Sequence, residues 1–482
     1  MTMRTWGIAA AIAVAALPAQ PLLAQSASSI SAQDKAQGAE AHPQLLREYG
    51  GAYVGPQADY VRRVGQKIAV QSGLSNAQSD FTVSLLNSPV DNAFAIPGGY
   101  VYVTRNLLAL MNDEAELASV MGHEVGHVAA RHSRARNNTS TAVGIGTSLL
   151  GALLGNSALG QLATRGVGTV AQLGVLSYSR GQETQADSLG VQYLVKAGYD
   201  PLAASSMLGD LAAQNTLDAR IGGKSGGTPT IFSTHPDPLG RVARTRQEAT
   251  ATGFTKGVRN RDAFLAAIDG MIYGDDPAQG IVDGQTFRHP GLKLAFTAPT
   301  GFAMANGTDA VTMTGQGGQA SFSGGAYTGD LDTYIRSVFK ALAPNSNLDA
   351  AAARRFQVGG MDAASATVGA TTQSGPVDVT VVAYAAEAKA AYHFVLITAQ
   401  GSGIGPFQSL VNSVRRLSAS ESAAIKPRRI KVVTVGRTDT VATLAARMAY
   451  PAMQAERFRV LNGLAADAVV RPGQKVKLVV IG

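Results

Sequence analysis

The chain has 482 residues, of which 45% are hydrophobic and 15% charged, and this composition is typical of a globular protein with about two to four domains. It contains no cysteine, which excludes disulfide bonds, thiolate metal ligands and lipid attachment through a cysteine. The whole excess of the +8 net charge lies from residue 426 to the end, in a segment with eleven basic and three acidic residues.

The N-terminal 24 residues have the pattern of a secretory signal peptide. Arg4 precedes an apolar run at residues 7–17, and small residues that suit cleavage follow. The alternative is a membrane anchor, but the apolar run is short and two prolines follow it. The sequence therefore predicts an exported, periplasmic protein in which residues 25–40 are a flexible leader.

Residues 41–280 are expected to form a mainly helical domain with a short edge sheet. Helices are predicted at 42–49, 59–70, 114–131, 178–197, 201–213, 236–250 and 261–271. Strands are predicted at 81–86 and 100–104, the second after a Pro-Gly-Gly turn. Residues 137–164 contain no charged side chain. We expect a helical hairpin there, buried or at a membrane surface, with a transmembrane helix as the alternative.

An H-E-x-x-H motif, His123 to His127, lies in the helix predicted at 114–131. Two histidines four positions apart on a helix project from one face and can share a metal ion. Glu124 lies beside them, where a carboxylate can take a proton from an attacking water. The motif predicts a catalytic zinc, and the alternative is a chance match on a helix surface.

A catalytic zinc needs a third protein ligand. The other candidates are His132, His235 and the carboxylates downstream of the motif. Glu183 and Asp187 are four residues apart on a predicted helix and face one way, so that Glu183 could bind the metal while Asp187 holds a ligand histidine. The alternative is two solvated carboxylates on a helix surface. His132 is expected to be structural, because five helical positions past His127 would turn it away from the metal face.

Four segments in this order over residues 40–250 resemble a known family: Asn92 to Tyr100, His123 to His127, Ser179 to Asp187, and Thr234-His235-Pro236. They resemble the M48 family of zinc metallopeptidases, in its exported, soluble bacterial branch. The resemblance implies one Zn²⁺ per chain, held by His123, His127 and Glu183. It also implies that Glu124 is the general base and that Asp187 supports a ligand.

The same resemblance implies further site residues. His235 is expected near the metal, where it occupies the open position in a resting state or stabilises the oxyanion, and Arg241 is expected to assist it. The strand at Gly98 to Thr104 is expected to be the edge that pairs with an extended substrate. Its candidate substrate-binding residues are Gly98, Gly99, Tyr100 and Val101. Some relatives carry a tetratricopeptide array, but no such repeat is found in this sequence.

Residues 285–420 are expected to form a small α+β domain of unknown role. Strands are predicted at 292–296, 379–386 and 392–398, and helices at 331–342 and 407–417. His289 and His393 lie in this region without other chemistry-bearing residues around them in the sequence, and we expect both to be structural.

Residues 428–482 are expected to form a basic strand–helix–helix–strand module. It resembles a LysM domain, a small peptidoglycan-binding fold, through Val433-Thr434-Val435, Asp439-Thr440-Val441, Phe458 to Leu464 and Pro472-Gly473-Gln474. Thr438 stands where a glycine is usual. The resemblance and the charge imply peptidoglycan or an anionic membrane surface as a partner, whereas the alternative is that the charge serves solubility. No nucleic-acid partner is expected.

The whole sequence thus predicts an α+β protein: a mainly helical zincin-type metallopeptidase domain with a short edge sheet, a small α+β domain and a compact βααβ module. Its expected function is zinc-dependent hydrolysis of peptide bonds in misfolded or unassembled envelope proteins. One alternative is a latent protease that acts mainly as a chaperone or scaffold for outer-membrane proteins. Another is a peptidoglycan-associated binding protein.

Overall fold

The computed structural model describes residues 29–133, 178–221, 231, 235, 237–342, 353–372 and 375–482. The predicted signal peptide and the uncharged stretch 137–164 lie outside the described residues. Among the helices that are described, none has the length and apolar character needed to cross a membrane.

The first part of the chain is mainly helical. Its helices are α1 (Ala32–Glu48), α2 (Pro56–Ala69), α3 (Ala77–Asp80), α4 (Arg105–Leu110), α5 (Glu114–Ala129), α6 (Arg180–Lys196), α7 (Leu202–Ile221), α8 (Pro238–Ala251) and α9 (Arg261–Ile268). Its strands are β1 (Thr82–Leu86), β2 (Ala93–Ile96) and β3 (Tyr100–Thr104). They form a sheet of order β1-β3-β2, in which β1 is parallel and β2 antiparallel to β3.

Helix α1 overturns part of the predicted flexible leader. The hydroxyl of Ser31 accepts a hydrogen bond from the backbone N–H of Asp34 and caps a helix that starts at Ala32. Ala41 and Leu45 on this helix are buried against the sheet, in a cluster that includes Phe94. The leader prediction is therefore wrong for residues 32–40, because the apolar face of α1 extends the short helix that the sequence indicated.

Helices α5 and α6 pack backbone against backbone. A Cβ atom on Gly122 would lie 3.2 Å from the Cα of Gly190, and one on Gly126 would lie 3.2 Å from the carbonyl oxygen of Ala186. Side chains at these positions would hold the helices apart, so the glycines permit the close approach. The side chains of α6 can then reach the face of α5 that carries the H-E-x-x-H motif.

The second part of the chain is rich in strands. They are β4 (Ile272–Tyr273), β5 (Ile281–Asp283), β6 (Thr286–His289), β7 (Leu294–Thr297), β8 (Ala303–Asn306), β9 (Val311–Gly315), β10 (Gly318–Ala326), β11 (Arg354–Val358), β12 (Met361–Thr372), β13 (Gly375–Tyr384), β14 (Ala390–Ala399), β15 (Arg415–Arg416), β16 (Arg428–Thr434) and β17 (Lys475–Ile481). The helices are α10 (Leu331–Leu342), α11 (Gln408–Ser413), α12 (Ala419–Ala424), α13 (Val441–Ala445) and α14 (Gln454–Leu461).

The middle region contains more sheet than the sequence predicted. An antiparallel sheet of order β11-β12-β13-β14-β10-β9-β8 lies beside a smaller one of order β15-β7-β6-β5. Helix α10 has the predicted bounds, but the helix predicted at 407–417 is only the short α11 followed by β15. Strands β8, β9, β10 and β12 were missed because they are rich in Ala, Gly, Ser and Thr, which give a weak period-two pattern.

The C-terminal module has the predicted strand–helix–helix–strand order, with β16 and β17 antiparallel. It shares a hydrophobic core with the helical part: Phe458 and Leu478 belong to the same buried cluster as Leu108 and Val125. Strand β16 also pairs with β4, which follows α9 in the chain. The module is therefore packed into the domain that carries the H-E-x-x-H motif.

Candidate metal centre

Side chains from three parts of the chain converge on one point. His123 and His127 come from α5, Glu183 from the first turn of α6, and His235 from the segment before α8. One nitrogen or oxygen of each residue lies within 4.8 Å of the corresponding atoms of the other three. The pairs include His123 Nε2 to His127 Nε2 at 3.0 Å and His235 Nδ1 to Glu183 Oε1 at 3.0 Å.

Four of the distances between these donors are close to those between ligands of one metal ion. Four ligands that bind zinc with bonds of about 2.0–2.1 Å lie about 3.3 Å from one another. His123 Nε2 lies 3.2 Å from His235 Nδ1, and His127 Nε2 lies 3.4 Å from Glu183 Oε1. Because the Nδ1 atom of His123 faces the Asp187 carboxylate at 3.0 Å and carries the proton, its Nε2 lone pair points at these neighbours. A cation between the converging lone pairs removes their repulsion.

Asp187 and Arg241 form the layer behind the donors. The guanidinium of Arg241 donates to Asp187 through Nε at 2.9 Å and Nη2 at 2.6 Å, and its Nη1 lies 2.5 Å from Glu183 Oε2. Arg244 also donates to Asp187, at 2.8 Å. Arg241 is thus held by both carboxylates, which fixes the side chain of Glu183 against the histidines. The sequence predicted that Arg241 helps to stabilise the oxyanion, whereas these contacts support a role in holding the two carboxylates.

The site is buried, and its charges alter the pKa values of its carboxyl groups. Burial by itself would raise the pKa of Glu183, but the neighbouring His235 and His123 hold it well below its usual range. Burial also raises the pKa of Asp187, but hydrogen bonds from His123 and Arg241 outweigh this effect and lower the pKa. Both carboxylates are therefore charged and able to interact with a cation.

Glu124 is separate from the donor atoms but next to them. Its side chain is 1% exposed, and its Oε1 lies 3.4 Å from His235 Nε2. Burial raises the pKa of Glu124, an effect that His235 and His123 oppose. The Oε2 atom has no hydrogen-bond partner among the described residues. A buried carboxylate with a free oxygen is suited to accept a proton.

A cavity of about 50 Å³ adjoins this carboxylate. Its polar lining includes Glu124, His123 and His235. Its apolar lining includes Val120, Met207, Leu208, Leu211 and Ile231. This arrangement can receive an apolar side chain next to the reacting group.

The strand predicted to be a sheet edge lies in the middle of its sheet. Tyr100–Thr104 pairs with β1 on one side and β2 on the other, so its backbone cannot accept a further strand. The prediction that Gly98 to Thr104 form a sheet edge is therefore wrong, because β2 pairs with the side of β3 that was expected to be free. Gly98 and Gly99 have φ of 90° and 85° and form the turn between β2 and β3, against the backbone of Asp34 and Asp80.

These residues still lie near the centre. Gly98, with Ile96 and Pro97, lines a small cavity that also touches His127 and Val128. The outer edge of β2, which packs against α5, is unpaired by any described strand. Among the described strands, an unpaired edge of this sheet therefore lies at β2, one strand away from Tyr100 and Val101.

His132 lies outside the donor set, but its ring contacts His127. Its Nδ1 lies 2.8 Å from Nδ1 of His127, and its Nε2 lies 3.0 Å from Oε1 of Gln185. The expected rotation away from the metal face assumed a continuing helix, whereas α5 ends at Ala129. Arg131 then takes a left-handed conformation with φ of 56° and turns the chain back. A basic residue followed by histidine just after the motif was the only signal available.

Comparisons with known proteins show a family match over the part of the chain that contains these donors. Residues 56–249, which contain all of the donors, match the family described as Peptidase family M48. The Beta-barrel assembly-enhancing protease of Yersinia pestis is 31% identical over 275 residues, 54% of this chain and 54% of that protein. The Mitochondrial metalloendopeptidase OMA1 of Schizosaccharomyces pombe is 32% identical over 215 residues, 44% of this chain and 59% of that protein.

A further similar protein is the Metalloprotease YcaL of Escherichia coli, 31% identical over 156 residues, 32% of this chain and 57% of that protein. The chain therefore spans little more than half the length of each of these three relatives. The remainder of each relative is outside the comparison.

Proposed function

Residues 56–249 of the chain are a domain of peptidase family M48, and from this premise we propose that the protein is a zinc-dependent endopeptidase of the bacterial cell envelope. The observation that carries the proposal is the convergence of the donor atoms of His123, His127 and Glu183 beside the buried carboxylate of Glu124. In a metallopeptidase, such a carboxylate next to the ligands is the general base.

The residues of the chain have distinct tasks in this proposal. His123, His127 and Glu183 would hold one zinc ion, which when bound supplies Lewis-acid polarisation of the peptide carbonyl and of a water molecule. Glu124 takes the proton of the attacking water at its free Oε2 and then delivers it to the nitrogen of the leaving amine. Asp187 and Arg241 keep His123 and Glu183 in place. The apolar cavity wall excludes bulk water from the carboxylate.

The substrate class follows from the proposed location. Misfolded or unassembled envelope proteins present extended segments that can lie along β2 and apolar side chains that can enter the cavity beside Glu124. The name of the Yersinia relative refers to β-barrel assembly, which supports outer-membrane proteins as part of this class. The predicted signal peptide supports a periplasmic location.

His235 supports a latent form of the enzyme. Its Nδ1 lies 3.2 Å from His123 Nε2 and 3.0 Å from Glu183 Oε1, so it would be a fourth donor to the proposed zinc ion. A catalytic zinc needs its fourth position for water and substrate. We expect the resting enzyme to be capped until a substrate or partner displaces His235, a state in which chaperone-like binding without cleavage is also accessible.

The C-terminal module is the proposed contact with an anionic surface of the envelope, either peptidoglycan or membrane. Arg437, Arg447 and Arg471 are exposed, and within the described part of the chain they form no ion pair. A Cβ atom on Gly463, however, would lie 2.9 Å from Asn112 Nδ2, so one end of the LysM-like pattern faces the catalytic domain. Pull-down of the purified chain on peptidoglycan, beside anionic vesicles, tests the two surfaces.

The test of the main proposal is cleavage of a disordered protein by the purified mature chain, beside Glu124→Gln, with zinc content measured in both. We expect zinc in both proteins and cleavage only by the wild type. Cleavage by Glu124→Gln would overturn the assigned role of the carboxylate. Absence of zinc from the wild type would overturn the metal centre itself, and zinc in both without cleavage would favour the capped or chaperone state.

A further inference from the structure

We propose that His132 and Gln185 are positioning residues that set the tautomer of His127 and so prepare it to bind the metal. This inference rests on the proposed function, because it requires His127 to be a metal ligand. It assigns a role to two side chains that lie outside the H-E-x-x-H motif and outside the donor set.

The geometry gives the direction of each hydrogen bond. Only one of the two Nδ1 atoms that face each other at 2.8 Å, those of His127 and His132, can carry the proton. Gln185 presents its carbonyl oxygen Oε1 to Nε2 of His132 at 3.0 Å, so that His132 carries its proton on Nε2. Nδ1 of His132 is then the acceptor, and His127 is the donor through Nδ1.

The consequence falls on the other nitrogen of His127. With the proton on Nδ1, the lone pair on Nε2 of His127 is available to a metal. This Nε2 lies 3.0 Å from Nε2 of His123, among the donor atoms. The opposite tautomer would put a proton there and prevent binding. Asp187 likewise holds the proton of His123 on Nδ1. Each histidine of the motif therefore has its own partner: the carboxylate of Asp187 for His123, and the imidazole–amide pair for His127.

The backbone conformation after α5 supports a specific role for the contact between His132 and His127. Arg131 is a non-glycine residue with φ of 56°, a conformation that costs about 1 kcal/mol for an ordinary side chain. The turn that it makes is what returns His132 to His127. Gln182, on the same helix as Gln185, lies with its Nε2 3.4 Å from the carbonyl oxygen of His132. Helix α6 thus contributes Glu183 to the donors and Gln185 to the pair that orients His127.

The experiment measures the zinc dissociation constant of each purified variant by competition with a chelator, without reference to activity. His132→Leu removes the acceptor and should weaken zinc binding by about 10–100-fold. His132→Asn keeps an acceptor oxygen near the position of Nδ1 and should recover most of the affinity. Thermal unfolding of the metal-free proteins, compared in parallel, reports whether the leucine variant is folded.

A second pair of variants changes Gln185 instead. Because Gln185 is exposed, substitutions there should leave the fold intact. Gln185→Glu can only accept a hydrogen bond from His132, so it locks the proposed direction and should bind zinc at least as tightly as wild type. Gln185→Leu removes the acceptor and should bind several-fold more weakly. ¹⁵N NMR of the imidazoles in metal-free protein should show the Nδ1–H form of His127 in wild type and in Gln185→Glu.

The outcomes separate this inference from the proposed function. Wild-type zinc affinity in His132→Leu, or an asparagine variant as weak as the leucine variant, would overturn the positioning role while leaving the metal centre intact. A weaker Gln185→Glu would overturn the direction of the hydrogen bonds. If the wild type itself binds no zinc, the proposed function fails first, and both inferences fall.

Discussion

The ammonium group of Lys477 lies 2.6 Å from the carbonyl oxygen of Met111, at the end of the short helix that precedes the helix with the H-E-x-x-H motif. It also donates to Ala109 at 2.7 Å, and its side chain is fully buried. Lys477 belongs to the last strand, so the C-terminal module neutralises the carbonyl end of α4 where the chain turns into α5. Two positions later, Asp113 caps the helix that carries His123.

Lys477→Met should destabilise the protein, because it leaves the carbonyl groups of Ala109 and Met111 buried without their donor. We expect the free energy of unfolding to fall by about 2–4 kcal/mol, measured by urea titration followed by circular dichroism. Lys475→Met is the matched control on the same strand: its ion pair with Asp262 is exposed and should change stability by less than about 1 kcal/mol. Equal effects of the two substitutions would contradict the role of Lys477.

His235→Ala should accelerate cleavage of a disordered protein if the imidazole caps the metal in the resting state. The three donors His123, His127 and Glu183 remain, so zinc should still bind, though more weakly. Initial rates with zinc held in excess measure the effect, and His289→Ala in the middle region serves as control. Slower cleavage by His235→Ala would argue against latency and in favour of an oxyanion role.

Gly190→Val should separate α5 from α6 and reduce zinc affinity. A Cβ atom at Gly190 would already lie 3.3 Å from the backbone nitrogen of His123, and a branched side chain needs more room. Moving α6 outward withdraws Glu183 from the histidines. Chelator competition should show a loss of tenfold or more, of the order that ligand misplacement produces.

Gly209→Val is the control for the glycine prediction, since Gly209 is also in a helix but a Cβ atom there has nothing within 4 Å. It should lower helix stability slightly and leave zinc affinity unchanged. A Gly190→Val protein with wild-type affinity would mean that the close approach of the two helices is not needed to position Glu183.

His393 should make stability depend on pH. Burial lowers the pKa of this histidine to about 4, from 6.5 in the unfolded chain. Between these values the unfolded chain binds a proton that the folded chain does not, so stability falls as the pH is lowered from 6.5 towards 4. The contribution is up to about 3 kcal/mol. In His393→Gln the urea midpoint should vary less over this range, and parallel curves for the two proteins would contradict the prediction.

From the sequence alone, the family could be recognised and the H-E-x-x-H pair could be placed on one helix face, whereas the other site residues were implied by the family resemblance. Four-residue intervals put His123 beside His127 and Glu183 beside Asp187 whatever the rest of the chain does. The family resemblance is confirmed, and the expected donors and supporting residues lie together. The order of elements in the C-terminal module could also be predicted, because alternating strands and capped helices are local patterns.

Only the tertiary structure decided how separate segments meet. The left-handed turn at Arg131 brings His132 back to His127, and the order β1-β3-β2 moves the free sheet edge away from Tyr100. The docking of Lys477 onto the end of α4 joins residues more than 360 positions apart. These contacts depend on backbone reversals and on packing between distant elements, and neither leaves a periodic signal in the sequence.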